Sequence, residues 1–319
     1  MSPHHRRALT LSIGLSAVLY LGSVLFADRD AVFAALRRID WAVLAAIFAL
    51  SLVNYLLRFW RWQRYVAAFG HSLPWCLHLL YYVAGFILTV TPGKAGEAVR
   101  SLYLRGHGVS YAQSLAALFV ERLLDVLAMS LLALLILLAR PSDYGQLVAL
   151  AWVLTLGLGW LVTRTWLPER LRQWGDGHRY GRQFERAARL LDAAAVLLRP
   201  GYLLFGLGLG VLSWGLEGFS LYLVARDAGV GLSVATGIGI YAIAVLAGAL
   251  SFLPGGLGSA EAVMGMLLMA FGADGPSAVA ITLLCRIATL WFAVALGGVA
   301  VGILSIGGRQ LDAEKNQGS

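Results

Sequence analysis

Charge is scarce in this 319-residue sequence: Asp, Glu, Lys and Arg together make up 13% of it, against 59% hydrophobic residues. A soluble domain carries about 25% charged residues, so an ordinary soluble enzyme is excluded at the outset. Lysine is nearly missing, since Lys94 and Lys315 are the only two among 25 basic residues. Cysteine is limited to Cys76 and Cys285, whose spacing suits neither a disulfide scaffold nor a zinc site. The six histidines form no ligand pattern, so no metal and no other cofactor is expected. A nucleophile, base and oxyanion constellation is lacking too, and the chain reads as a non-enzyme. The alternating glycines Gly206, Gly208 and Gly210 follow no strand, which removes a dinucleotide fingerprint. Together with Gly298 and Gly302 they read as small-residue spacings for close helix packing.

What remains is a set of long uncharged stretches. At 1.5 Å rise per residue, about 20 apolar residues cross a hydrocarbon core of ~30 Å. Six stretches reach or approach that length, near 8–27, 41–57, 112–139, 146–167, 201–224 and 276–307. The first resembles a signal peptide, but it is too long for one and has no small-residue cleavage site, so it reads as a retained span. The net charge of +8 does not point to nucleic acid, because most arginines sit just past the ends of spans. With the N-terminus inside, Arg58, Arg61 and Arg64, the 164–200 segment with eight Arg against four acids, and Arg309 and Lys315 all fall inside. That pattern obeys the positive-inside rule with both termini cytoplasmic. Trp41, Trp60, Trp62 and Trp166 fit an interfacial aromatic belt. In the 164–200 segment, Tyr180, Phe184, Ala187, Ala188 and Leu191 recur at helical spacing, with Arg182, Arg186 and Arg189 off that stripe. A short amphipathic helix on the membrane surface is expected there, either gathering anionic headgroups or simply solvated.

Two further apolar regions, 76–105 and 233–272, are interrupted in matching ways. Residues 91–100 read TPGKAGEAVR and 253–262 read LPGGLGSAEA. Both contain Pro-Gly-x-x-Gly, as Pro92, Gly93, Gly96 and as Pro254, Gly255, Gly258, and each is followed by a glutamate, Glu97 or Glu261. Glu97 precedes Arg122 by 25 residues, and Glu261 precedes Arg286 by the same 25. Asn54 and Glu217 are polar residues upstream at nearly the same offset. Three coincidences in register argue for an internal duplication. Three spans separate the two breaks, and an odd number reverses direction, so the repeats should have inverted topology with a site near the midplane. Proline removes a donor and forces Thr91 and Leu253 out of helical geometry, while glycine permits the reversal. The freed backbone groups must be buried in protein or face a wet cavity. The second arm then opens with N–H groups and a partial positive charge suited to an anion, near Lys94, Arg100 and Ser259. For Glu97 and Glu261 two roles stay open, offsetting the helix dipole or relaying protons.

Charges also fall within spans. Glu121, Arg122 and Asp125 lie in the third, and Arg286 lies in the last, each arginine about ten residues, or ~15 Å, from its span's start. A central charge costs about 2.5–3.5 kcal/mol on insertion scales. Arg122, Asp125 and Glu97 could share a network, and Arg286 needs Glu261 or Glu217 as partner. These arginines could clamp the breaks to their neighbours or receive a phosphate through the planar donor fork. The expected fold is all-α integral membrane, with about six transmembrane helices plus two re-entrant broken-helix hairpins in an inverted repeat. It forms one polytopic domain over 1–319, with repeats at about 41–167 and 201–307 and an amphipathic linker at 168–200.

The segments TPGKAGEAVRSLYL at 91–104, FVERLLD at 119–125 and LPGGLGSAEAV at 253–263 resemble the flippase-like family typified by the transmembrane domain of bacterial lysylphosphatidylglycerol synthases. The resemblance runs from about 10 to 307. It implies a lipid-translocating domain in a bacterial cytoplasmic membrane. Relatives are linked to aminoacylated phospholipids, polyprenyl-linked sugars or hopanoids, so the class does not fix the lipid. The chain lacks the soluble transferase domain of the synthases, which leaves lipid modification to a separately encoded enzyme, a candidate partner. The function expected is a flippase for an anionic phospholipid or polyprenyl-phosphate lipid. Arg122, Arg286, Lys94, Arg100 and Ser259 would engage the head, and Glu97, Glu121, Asp125, Glu217 and Glu261 would balance charge or carry protons. The alternatives are an intramembrane lipid-phosphate enzyme and a scaffold for a membrane glycosyltransferase. Oligomeric state is left open.

Overall fold

The computed structural model describes residues 29–138, 166–175, 180–251 and 253–317, with isolated positions between 146 and 157. The expected first span at 8–27 lies outside the described residues, as does nearly all of the fourth at 146–167. Every regular element among the described residues is helical. After a short helix α1 (Arg29–Arg37) comes the long α2 (Trp41–Ala68). The Asp40 carboxylate caps α2 by accepting from the Ala42 N–H at 2.8 Å, and the Asp40 N–H donates to Asp227 Oδ2 at 2.7 Å. The start of α2 is thereby tied to the end of α8 (Pro200–Asp227). In mid-helix the Asn54 amide donates to the Ser213 carbonyl at 2.8 Å, so the two longest helices are pinned along their length.

Three described helices are long and apolar enough to cross a membrane: Trp41–Ala68, Pro200–Asp227 and Gly275–Ile306. Helix α5 (Tyr111–Ala133), continued by a tighter 3-10 stretch Leu134–Leu138, matches the span expected at 112–139 but carries Glu121, Arg122 and Asp125. Its start is fixed by a capping box, in which the Gln113 N–H donates to Ser110 Oγ and the Ser110 N–H to Gln113 Oε1. The protein is thus an all-α membrane protein. Its linker forms α6 (Trp166–Gly175) and α7 (Gly181–Leu197). Helix α7 buries Ala188, Ala194 and Leu197 and leaves Arg182, Arg186 and Arg189 exposed, but of the expected apolar stripe Tyr180 and Ala187 are exposed as well.

Each interrupted region is two short helical arms around a break. The first is α3 (Trp75–Ala84), 3-10 turns at Gly85–Leu88 and Pro92–Val99, then α4 (Arg100–Arg105). The second is α9 (Val234–Leu250), a turn at Pro254–Gly256, then α10 (Ser259–Ala270). Thr91 (ψ 153°) and Leu253 (ψ 148°), the residues before the prolines, are extended as expected. The glycines act differently in the two breaks. Gly255, Gly256 and Gly258 have φ of 63°, 66° and 84°, a region L side chains avoid. Gly96 lies within a helical run and provides space instead, since a Cβ there would fall 2.5 Å from Leu88 Cβ. The two breaks meet: a Cβ on Gly255 would lie 3.3 Å from Val90 Cα.

One boundary is corrected. Helix α2 runs to Ala68 and not to residue 57, so Arg58 and Arg61 are not loop residues but lie buried within it, while Arg64 remains exposed. Trp62 is also buried, not interfacial, whereas Trp41, Trp60 and Trp166 are exposed. The last span is continuous from α11 (Gly275–Arg286) into α12 (Phe292–Gln317) through a wide π-turn at Ile287–Trp291. That turn frees the Thr289 carbonyl, which accepts from Tyr55 Oη at 2.6 Å.

Candidate functional site

Asn54, Arg58, Arg61 and Tyr65 recur every three or four residues on α2 and are all buried. This polar stripe faces Glu121, Arg122 and Asp125 on α5. Arg61 Nη2 donates to Asp125 Oδ1 at 2.6 Å, and Arg58 Nη2 lies 3.5 Å from Glu121 Oε1. Arg122 Nη2 lies 3.0 Å from both Glu121 and Asp125 and 3.9 Å from Glu97. Arg100 completes the cluster, with Nη2 on Glu97 at 2.7 Å and Nη1 on Glu121 at 3.2 Å. Glu97 also accepts from Thr89 Oγ1 at 2.5 Å, and Glu121 from Tyr82 Oη at 3.0 Å. Four arginines therefore surround three carboxylates in one buried network that ties the first break to α2 and α5. Removing ions from water is costly, and the mutual pairing of these groups offsets part of that cost.

Two of the arginines are sealed. Arg61 is 0% exposed; Gly210 on α8 leaves it room, since a Cβ there would fall 3.2 Å from Arg61 Nη1, and the Gly206 carbonyl accepts from Arg61 Nη1 at 3.3 Å. Arg100 is 1% exposed, with its guanidinium 4.0 Å from the Tyr82 ring centre and 5.1 Å from that of Trp62. Gly85 makes room for it, since a Cβ there would fall 2.5 Å from Arg100 Nε. Arg100 thus belongs to the clamp, which corrects its assignment to a substrate.

The other two, with Arg286, border a central cavity of about 270 Å³. A single water needs roughly 10–15 Å³ on this measure, so the space suits a larger polar group. Its wall includes Arg58, Arg122, Arg286, Asp125, Glu217 and residues of both breaks, among them Thr91, Leu253, Gly255 and Gly256. Tyr55, Trp214 and Tyr241 supply aromatic faces. Arg122 is the more open arginine of the network, with 20% of its side chain exposed. The Nε of Arg58 and that of Arg122 are buried and have no hydrogen-bond partner among the described residues. Glu217 accepts a short hydrogen bond from Tyr241 Oη.

At the second break Arg286 Nε donates to Glu261 Oε1 at 2.6 Å and Nη2 to the Gly255 carbonyl at 2.9 Å. Glu261 Oε2 accepts from the Gly258 N–H at 2.7 Å and so caps the start of α10. The hydroxyl of Ser259 is turned to the Gly256 carbonyl and Ser251 Oγ, at 3.0 and 2.8 Å, and is not part of the cavity wall. Pro92, Gly93 and Lys94 lie in the first break, and their side chains are outside the described residues. The structure therefore unites Glu97, Glu121, Arg122 and Asp125, pairs Glu261 with Arg286, and brings Glu217 to the same cavity. Sequence reasoning missed Arg58 and Arg61 as site residues. The 54-58-61-65 stripe was the available signal, overridden by reading arginines after an apolar run as a loop.

The profile of the lysylphosphatidylglycerol synthase TM region matches residues 8–297. A UPF0104 membrane protein of Methanothermobacter thermautotrophicus is 29% identical, covering 89% of this chain and 90% of the relative. A second from that organism is 24% identical over 93% and 95%. One from Pyrococcus horikoshii is 20% identical over 93% and 96%. The chain belongs to the lysylphosphatidylglycerol synthase TM-region family.

Proposed function

We propose that this protein moves a lipid with a phosphate-bearing head between leaflets, taking the head into the cavity where the two breaks meet. The observation that carries the reading is the pair of guanidinium edges at Arg58 and Arg122. Both border the cavity, and both hold a buried Nε donor without an acceptor among the described residues. A phosphate oxygen supplies that acceptor, and a planar guanidinium fork binds it in two directions at once. The first network's surplus of one arginine over its carboxylates favours an anion. Aromatic walls at Tyr55, Trp214 and Tyr241 suit the apolar neck of a lipid. In this reading each broken hairpin enters from one side only, the repeats are inverted, and both termini are cytoplasmic. The exposed Arg182, Arg186 and Arg189 of α7 support that orientation, since exposed basic residues between spans favour the cytoplasmic side. Glu217 and Glu261 balance charge as the head arrives. The chain acts as a transporter and not as a synthase, and the lipid is modified by a separate enzyme.

The test is reconstitution in vesicles with headgroup-labelled phospholipid, reading leaflet transfer with time. Arg122→Ala combined with Arg286→Ala should abolish transfer while the helical content is kept. Unchanged transfer in that variant would remove the site, and product formation by the purified protein in detergent would favour a lipid-phosphate enzyme instead.

A further inference from the structure

The first turn of α10 has two faces. Gly255, Gly256 and Ala260 face the central cavity, whereas Leu257, Gly258 and Glu261 border a separate groove of about 340 Å³ between α10 and α11. The Glu261–Arg286 pair stands in the wall between the two spaces, its arginine on the cavity and its glutamate on the groove. The remaining groove lining is almost wholly apolar. Met266 and Met269, 56% and 48% exposed, form its outer lip, and methionine adapts well to irregular apolar surfaces. At Gly265 a Cβ would meet nothing within 4 Å, so the groove is open there.

One polar side chain is inconsistent with a merely empty groove. Thr282 lines it, is only 4% exposed, and its Oγ1 has no hydrogen-bond partner among the described residues. A helical threonine ordinarily returns its hydroxyl to the carbonyl four residues back, as Thr289 does to Cys285 at 2.8 Å. Thr282 makes no such bond, which leaves a buried donor without a partner beside the apolar groove, one helical turn from the ionic wall. An acyl ester meets these conditions, with a hydrocarbon chain for the methionine lip and one carbonyl acceptor near its polar end.

We propose that the groove binds the ester-linked acyl chain of a membrane lipid. Thr282 donates to the ester carbonyl, and the Glu261–Arg286 pair divides the tail groove from the head cavity. This rests on the transport reading above, and it adds where the tail lies and which residue reads its linkage.

The full-length protein is placed in phosphatidylglycerol vesicles containing a trace of phosphatidylglycerol with a diazirine near the ester end of one chain. After illumination the adducts are mapped by mass spectrometry, and leaflet transfer is measured on the same vesicles. Adducts should concentrate on Met266, Met269 and the half-buried Val279 over Leu204 and Ile303, both more than half exposed. Gly265→Leu, which fills the groove without a backbone clash, should remove them and slow transfer. A diester probe should label about two- to tenfold more than its diether analogue, the worth of one net hydrogen bond, and Thr282→Val should erase that preference. Even labelling across all exposed apolar positions, no effect of Gly265→Leu, or cross-links joining two copies of the chain at Met266 would overturn the proposal. If adducts are groove-specific but the wild type transfers no lipid, the tail site stands and the transport reading fails. If lipid is transferred but the adducts are unspecific, transport stands and the tail site is lost.

Discussion

The two breaks are held in different ways. In the first half four arginines and three carboxylates knit Pro92–Val99 to α2 and α5. In the second half, among the described residues, Arg286 reaches the break through Glu261 and the Gly255 carbonyl. The offset of 164 that relates Glu97 to Glu261 and Arg122 to Arg286 carries Arg100 to Met264, Glu121 to Cys285 and Asp125 to Thr289. On the helices before the breaks, the offset linking Asn54 to Glu217 carries Arg58 to Leu221 and Arg61 to Val224. All five of these second-half residues are buried. The same scaffold thus keeps one Glu–Arg clamp in both halves and surrounds it with ions on one side and hydrocarbon on the other. The packing follows suit: aromatic residues such as Phe59, Trp62, Tyr65 and Tyr82 fill the first core, and aliphatic ones such as Ile240, Ala244, Leu268 and Ile281 the second. The difference teaches that the first break is anchored by a network of ions, while the second is latched through the Glu261–Arg286 pair.

This comparison can be broken in order of expected effect. Glu121→Ala strips the first network of a carboxylate shared by Arg58, Arg61, Arg100 and Arg122, leaving its four cations to two carboxylates. The loss should be about 3–5 kcal/mol, read as the largest drop in thermal unfolding temperature in detergent. Glu261→Ala should cost less, about 1–3 kcal/mol in the same assay, because Arg286 keeps the Gly255 carbonyl and borders the cavity. Equal losses from the two would erase the distinction between anchor and latch. Gly255→Ala places a side chain at φ 63° against Val90 and should cost about 1–2 kcal/mol. Asp192→Asn, which removes the exposed partner of Arg172 on the linker, should leave the unfolding temperature unchanged and serves as the reference for both halves.

Much of this was legible in the sequence because the duplication repeats chemistry that lipid does not tolerate at random. Pro-Gly-x-x-Gly before Glu97 and before Glu261, with arginine 25 residues on, located both breaks and both clamps. The extra two residues between Gly258 and Glu261, against none between Gly96 and Glu97, were visible as well. Their consequence was not: Glu261 becomes the third residue of a regular helix and caps it, while Glu97 stays in a tight 3-10 run. Arg58 and Arg61 escaped because a charge at the end of an apolar run looks the same in sequence whether it meets water or a buried carboxylate. Only their spacing with Asn54 and Tyr65 distinguishes the two. Arg100 was misassigned for a related reason, since the ring of Tyr82 that covers it lies 18 positions away in the chain. Long-range enclosure of this kind depends on how arms fold back, which local pattern does not encode.

The central claim is that the cavity between the breaks receives a lipid phosphate through Arg122. Native mass spectrometry of the protein extracted in mild detergent addresses it most directly, comparing the wild type with Arg122→Gln at matched stability. The account predicts a phosphate-bearing lipid retained by the wild type and lost from the variant. Equal retention by both, or retention of a lipid without phosphate, would contradict it.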